Sequence, residues 1–284
     1  MLFFLLYKIG TLLALTIPVK ACYCLASFFA DIKYLVSPRE KQQIVENLRL
    51  VLPGQDRKTL KGHVRKIFKN FSIYLVDFLR FGKLNLEYVK KYVGVVNRNY
   101  IDESLKKGKG VVILSAHLGN WELGGAVLGI LGYPINVVAL DHTNKLVTNF
   151  FVNQRRANNE RVIPIGMALK RCFVALKNNE LLAIVGDKDF TNNGVVVKFF
   201  GKKTILPKGP AVFSLRTGAT IVPAFVIRDE GQKCRLIFDK PIEYSPGGNF
   251  EEDVVKLTEC CSRVMENYIR KFPTQWYCFR RFWE

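Results

Sequence analysis

The sequence predicts an α/β protein, a central mixed β-sheet flanked by helices, preceded by an N-terminal membrane-associated helical segment. Three observations carry this. From Gly110 onward, short apolar runs alternate with helical stretches, the pattern of strands joined by helices that lie on the faces of a sheet. Residues 38–93 place apolar side chains at helical spacing. Residues 1–30 carry only two charges, Lys8 and Lys20. A chain of 284 residues that is 49% hydrophobic, with 21 Phe and 11 Tyr, can bury enough surface to exclude disorder. There is no internal repeat, low-complexity tract or long linker, so residues 33–284 read as one domain. Its helical lead-in covers 33–109 and its α/β core 110–284, behind an anchor or interfacial helix over 1–32.

The first segment falls short of a clean membrane span. A spanning helix needs roughly 20 consecutive apolar residues; the longest uncharged run, Ile9 to Val19, is shorter, and Pro18 and Lys20 interrupt it. The basic-first order and small-residue cleavage site of a secretory signal are missing, so no cleavage is expected. Three readings stay open: a short spanning helix, an interfacial anchor, and a buried core helix. In the lead-in, Ile44, Leu48 and Val51 mark one helix ended by Pro53-Gly54. A second helix near Arg57–Phe81 carries Val64, Ile67, Phe68, Phe71, Leu75 and Phe78 on one stripe.

In the core the order is strand Val111–Ser115, helix Trp121–Leu131, strand Ile135–Leu140, helix Lys145–Asn158 and the short run Arg161–Pro164. Helix Met167–Lys177 follows, then strands Leu181–Val185 and Val195–Phe200, helix Gly209–Arg216, strands Ile221–Ile227 and Lys233–Phe238, and a final helix over about Glu251–Lys271.

Charge narrows the partners. Lys and Arg number 43 against 24 Asp and Glu, a net of +19. Residues 33–110 hold 18 basic and 7 acidic side chains, +11 of that total, directly after the apolar segment. Basic side chains beside an anchor are attracted to anionic lipid by about 1 kcal/mol each, and their position suggests a cytoplasmic-facing body. A nucleic-acid-binding module would also be basic, but no RNP1 or zinc-finger pattern is present. A serine hydrolase would want G-x-S-x-G, which is absent. The seven cysteines, odd in number and irregular in spacing, suit reduced, buried thiols better than a disulfide framework or a zinc site.

The most informative stretch is Ser115-Ala116-His117-Leu118-Gly119-Asn120-Trp121-Glu122-Leu123-Gly124-Gly125. It leaves a strand and opens a helix, at the sheet edge where α/β proteins bind ligands. His117 there suits a general base. Glu122, five residues on, cannot share a helical face with it. With His117 in the turn and Glu122 in the first helical turn, the chain can fold back so that Glu122 bonds the imidazole. Gly119, Gly124 and Gly125 would allow the turn and a close approach of substrate.

The string HLGNWE closely resembles the H-x4-(D/E) motif of the bacterial lipid A biosynthesis (late, secondary) acyltransferases, within the glycerolipid acyltransferase superfamily. Further blocks agree in order. Asn47-Leu48 with Leu52-Pro53 resembles the early NL…P segment, and Asp187-Lys188-Asp189 followed by Val197–Gly201 resembles D-x-D…F-F-G. Thr217-Gly218-Ala219 with Val222-Pro223 resembles TGA…VP, and Pro273, Gln275, Trp276 and Arg281 resemble P-x-Q-W…R.

The resemblance implies a glycerol-3-phosphate acyltransferase-like fold. It also implies direct transfer of a fatty acyl group from an acyl-carrier-protein thioester to a lipid hydroxyl at the cytoplasmic face of the bacterial inner membrane. His117 would be the base and Glu122 its partner, with no cofactor, no metal and no acyl-enzyme on a cysteine. Acyl carrier protein and an anionic glycolipid of the membrane are the implied partners, with no nucleic acid, and the enzyme is expected as a monomer. The acceptor is a lipid A precursor or a related glycolipid; a mannosylated phosphoinositide or a lysophospholipid is the alternative, and outside enzymes the alternative is a noncatalytic basic membrane- or nucleic-acid-binding protein.

Arg155 and Arg156 lie where the family carries a functional Arg. Asp187 and Asp189 are expected to structure a loop or pair with Arg rather than bind metal. With Asn120 these four complete the candidate substrate-binding set. The oxyanion donor is left between a basic side chain and backbone amides around Gly119–Asn120. Lys198, Lys202, Lys203 and Lys208 are candidates for lipid headgroups or for acidic carrier protein.

Overall fold

The computed structural model describes residues 2–140, 142–165 and 168–283. Two helices, α1 (Leu2–Thr16) and α2 (Val19–Leu35), replace the single amino-terminal helix expected, because Pro18 has no N–H to continue the ladder. Among the described residues no helix is long and apolar enough to cross a membrane. Both helices pack on the body: α2 lies along α4 (Arg57–Leu79), and Tyr7 of α1 stacks on Phe150 at 5.4 Å. Their outer faces stay apolar. Leu5, Leu6, Ile9, Leu12 and Leu13 form one exposed stripe on α1; Leu25, Phe28, Phe29, Ile32 and Leu35 form another on α2.

Helix α3 (Pro38–Val51) and α4 complete the lead-in. Asp56 caps α4 by accepting from the amides of Lys58 and Thr59. Then follow α5 (Leu86–Tyr92), β1 (Val93–Val96), α6 (Asn99–Leu105), β2 (Val111–Ser115), α7 (Trp121–Ile130), β3 (Ile135–Ala139), α8 (Lys145–Arg156) and β4 (Arg161–Pro164). The chain continues through α9 (Ala168–Lys177), β5 (Leu181–Val185), β6 (Val195–Phe199), β7 (Lys202–Leu206), α10 (Gly209–Thr217), β8 (Thr220–Arg228), β9 (Cys234–Phe238) and α11 (Phe250–Lys271). Met167, expected at the start of α9, lies outside the described residues.

Seven strands form one sheet in the order β1-β9-β8-β2-β5-β3-β4. It is mostly parallel; β8 and β9 pair antiparallel, which makes it mixed. Strands β6 and β7 form a separate antiparallel pair. β2 is central and covered on both faces, which explains its unbroken VVIL run. Its side chains alternate between two cores. Val112 and Leu114 face α9, α10 and α11, whereas Val111 and Ile113 face α7. Helix α11 spans the first of these faces. Asn249 caps it, three acids fill its first turn, and Arg270 and Lys271 sit in its last, each end matching the helix dipole.

Candidate active site

The site is built where β2 and β5 deliver their carboxyl ends. These neighbours run parallel with Ser115 opposite Val185, so the residues two steps beyond, His117 and Asp187, face each other. His117 Nδ1 lies 2.7 Å from Asp187 Oδ1, which also accepts from the His117 backbone amide at 3.1 Å. The second oxygen accepts from Trp276 Nε1 at 3.0 Å.

Asp187 is 0% exposed. Burial works to raise its pKa, but the adjacent His117 ring and its hydrogen bond, then Lys188 and the Trp276 N–H, outweigh that and hold the carboxyl well below the usual range. An ionised carboxylate only accepts, so Nδ1 carries a proton, and in the neutral ring Nε2 is the nitrogen with the free lone pair. The His117 side chain is 20% exposed, and its ring packs edge-on against Trp121 with centroids 4.9 Å apart.

The turn holding His117 is stitched on three sides. Tyr277 N donates to His117 O, Gly119 N to Gln275 O and Asn120 N to Val226 O. Gly119 has φ +63°, and a Cβ there would sit 1.8 Å from Val226 O, so only glycine fits. Asn120 caps α7 through the Leu123 amide and donates its side-chain amide to Asp77 at 2.9 Å. Buried Asp77 also takes a hydrogen bond from Tyr23 of α2 and an ion pair from Arg228. The amides of Leu118, Gly119 and Asn120 are thus all spent on protein carbonyls. That removes these three amides as oxyanion donors.

Glu122 is not the acceptor from Nδ1. Arg155 of α8 holds both its oxygens, Nε to Oε2 at 2.9 Å and Nη2 to Oε1 at 2.7 Å, with both side chains largely buried. Burial alone would lower the Arg155 pKa; the Glu122 carboxylate more than reverses this. The expected His117–Glu122 bond gives way to His117–Asp187 because strand register, not the five-residue spacing, decides what lies beside Nδ1.

A cavity of about 610 Å³ opens beside His117. Its floor is the sheet face of Ile113, Ala183, Ala224 and Val226, and α7 roofs it with Gly124, Gly125 and Leu128. The small residues on both sides make the room. Leu140, Leu169 and Phe190 stand exposed where it meets solvent, and Lys188 and Lys208 also line it.

A paired histidine at the mouth of a deep apolar chamber is an arrangement for activating a hydroxyl beside a long alkyl chain. The profile of the bacterial lipid A biosynthesis acyltransferases matches residues 1–284. The chain belongs to that family. It is similar to the phosphatidylinositol mannoside acyltransferase of Mycolicibacterium smegmatis, 23% identical over 261 residues, 90% of this chain and 84% of that one. The Mycobacterium tuberculosis protein of the same name is 25% identical over 263 residues, 90% and 81% of the two chains. The lipid A biosynthesis palmitoleoyltransferase of Escherichia coli is 22% identical over 240 residues, 84% and 76%.

The acyltransferase brings together some of the residues singled out from its sequence. His117 and Asp187 meet, as do Glu122 and Arg155. Arg156, one step round α8, is exposed at the helix end. Asp189 structures its loop, accepting from the Thr191 amide and hydroxyl and from the Gly194 amide. Burial works to raise its pKa, and these hydrogen bonds bring it below the usual value. Asn120 serves α7 as its cap. Lys188 reaches Tyr277 O at 2.8 Å. One residue that sequence reasoning missed is Glu160, a buried carboxyl on the cavity wall; a lone acid before a short strand gives no signal.

Proposed function

We propose that this acyltransferase moves a fatty acyl chain from an acyl-carrier-protein thioester to a hydroxyl of a glycolipid, first of all a lipid A precursor, at the cytoplasmic face of the bacterial inner membrane. The observation that carries this is the His117–Asp187 pair at the mouth of the apolar chamber. Nε2 takes the acceptor proton as its oxygen attacks the thioester carbonyl. The new ester forms, the C–S bond breaks, and the imidazolium returns the proton to the leaving sulfur. Asp187 fixes the tautomer and offsets the transient positive charge. With the turn amides engaged, Lys188 or Lys208 is the donor to the oxyanion. Glu122 and Arg155 act on the chamber wall, tying α7 to α8. The scheme uses no cofactor and no metal.

The exposed stripes of α1 and α2 support docking of a monomer in the plane of the membrane, apolar residues in the acyl boundary, with the net charge of +19 drawing anionic lipid and acidic carrier protein. A second reading has a mannosylated phosphoinositide as acceptor, favoured by the two mycobacterial relatives, each matched across 90% of this chain. Membranes containing the protein, given acyl-carrier-protein thioester and each acceptor in turn, distinguish them: mass spectrometry should show one acceptor gain one acyl group. No gain on any glycolipid or lysolipid would overturn the proposal.

A further inference from the structure

Glu160 has no place in the chemistry above. It precedes β4 directly, at the end of that strand away from the carboxyl ends where His117 sits. It is 2% exposed and lines the chamber. Its Oε1 is buried without a hydrogen-bond partner among the described residues. Its Oε2 lies so near α7 that a Cβ on Gly125 would come within 2.4 Å, so Gly125 leaves the room this carboxyl occupies. Arg155 is committed to Glu122. Burial first, then the Glu122 carboxylate, push the Glu160 pKa well above its ordinary value against the pull of Arg155. The shift favours the protonated form, whose O–H and carbonyl sit in the chamber wall.

Buried polar atoms in folded proteins nearly always have a partner. At Glu160 the open side is the chamber itself. Along α7, Gly125 is three residues past Glu122, about 4.5 Å deeper, and Leu128 and Ile135 carry the lining onward. A chain reacting at His117 therefore passes Glu160 with an interior carbon, not with its carbonyl.

We infer that Glu160 is a specificity-determining residue, hydrogen-bonding an oxygen substituent on an interior carbon of the bound chain, so that the chamber prefers a hydroxylated acyl group to a plain one. This rests on the reading of the chamber as an acyl site, but its test needs no transfer. The full-length protein is purified in detergent. Octadecanoic acid and isomers hydroxylated at successive interior carbons then compete against a fluorescent fatty acid.

One isomer should bind about tenfold tighter than the plain acid. Glu160→Leu should erase that preference and Glu160→Gln retain it. Equal binding of every isomer by the wild-type protein overturns the inference, whatever the variants do; so does a preference that survives Glu160→Leu. A chamber that binds no fatty acid overturns both the inference and the acyl-site reading. A clear preference without transfer from any thioester overturns the transferase proposal alone.

Discussion

Asp187→Asn exchanges one oxygen for an amide without changing side-chain size. Three N–H groups converge on the carboxylate: His117 Nδ1, the His117 amide and Trp276 Nε1. Asparagine offers one acceptor and one NH2, so whichever way it lies a donor faces a donor, and with the NH2 toward the imidazole the ring must turn to the other tautomer. That tautomer places the proton on Nε2, where the base has to be empty. The lost charge matters separately. With Nδ1 and Oδ1 2.7 Å apart, the charge centres lie about 4 Å from each other, worth about 4 kcal/mol at an effective dielectric near 20. If most of that interaction develops as the imidazolium forms, kcat should fall about 10²–10³-fold with KM for the donor little changed. The assay is the initial rate of free carrier-protein thiol release, with circular dichroism to confirm folding. A folded Asp187→Asn within about threefold of wild type would refute the role given to Asp187.

The other predictions use the same geometry. Arg155→Ala strands the Glu122 carboxylate in a buried wall and should cost about 3–5 kcal/mol of stability, whereas exposed Arg156→Ala should stay within about 0.5 kcal/mol; urea unfolding separates them, and equal losses would contradict the helix phase described. Glu160 has a raised pKa in the fold, so its contribution is fully present below the unfolded value of about 4.3 and is lost as pH rises through the folded value. Glu160→Gln should therefore gain stability relative to wild type as pH climbs from acid to neutral; a difference in unfolding midpoint that stays flat with pH counts against a buried proton. Phe28→Asp with Phe29→Asp should release the protein from anionic vesicles in flotation, and unchanged binding would place the docking face elsewhere.

Much of the fold was legible because buried parallel strands read as plain apolar runs, as in Val111–Ser115 and Leu181–Val185. Two strands escaped. Val93–Val96 follows Lys90-Lys91 and is a strand only because β9 lies beside it. Lys202–Leu206 begins with two lysines and exists as the partner of β6. At the site, His117 was visible from its place between a strand and a helix. Its acceptor was not: choosing Asp187 over Glu122 depends on β2 and β5 aligning in register across the intervening chain, whereas Glu122 merely stood nearer in sequence. Arg155 and Arg156 were equal on paper until the phase of α8 turned one inward.

The segment Gln275–Tyr277 supplies Trp276 to Asp187, a carbonyl to Gly119 and an amide to His117. All three come from near the carboxyl end, long after His117 itself has been made. During synthesis, then, the turn that holds His117 is made long before the partners that set it. The turn takes its final shape only when Gln275–Tyr277 folds back onto it. A chain cut short before Trp276 would keep His117 and lack the contacts that orient it.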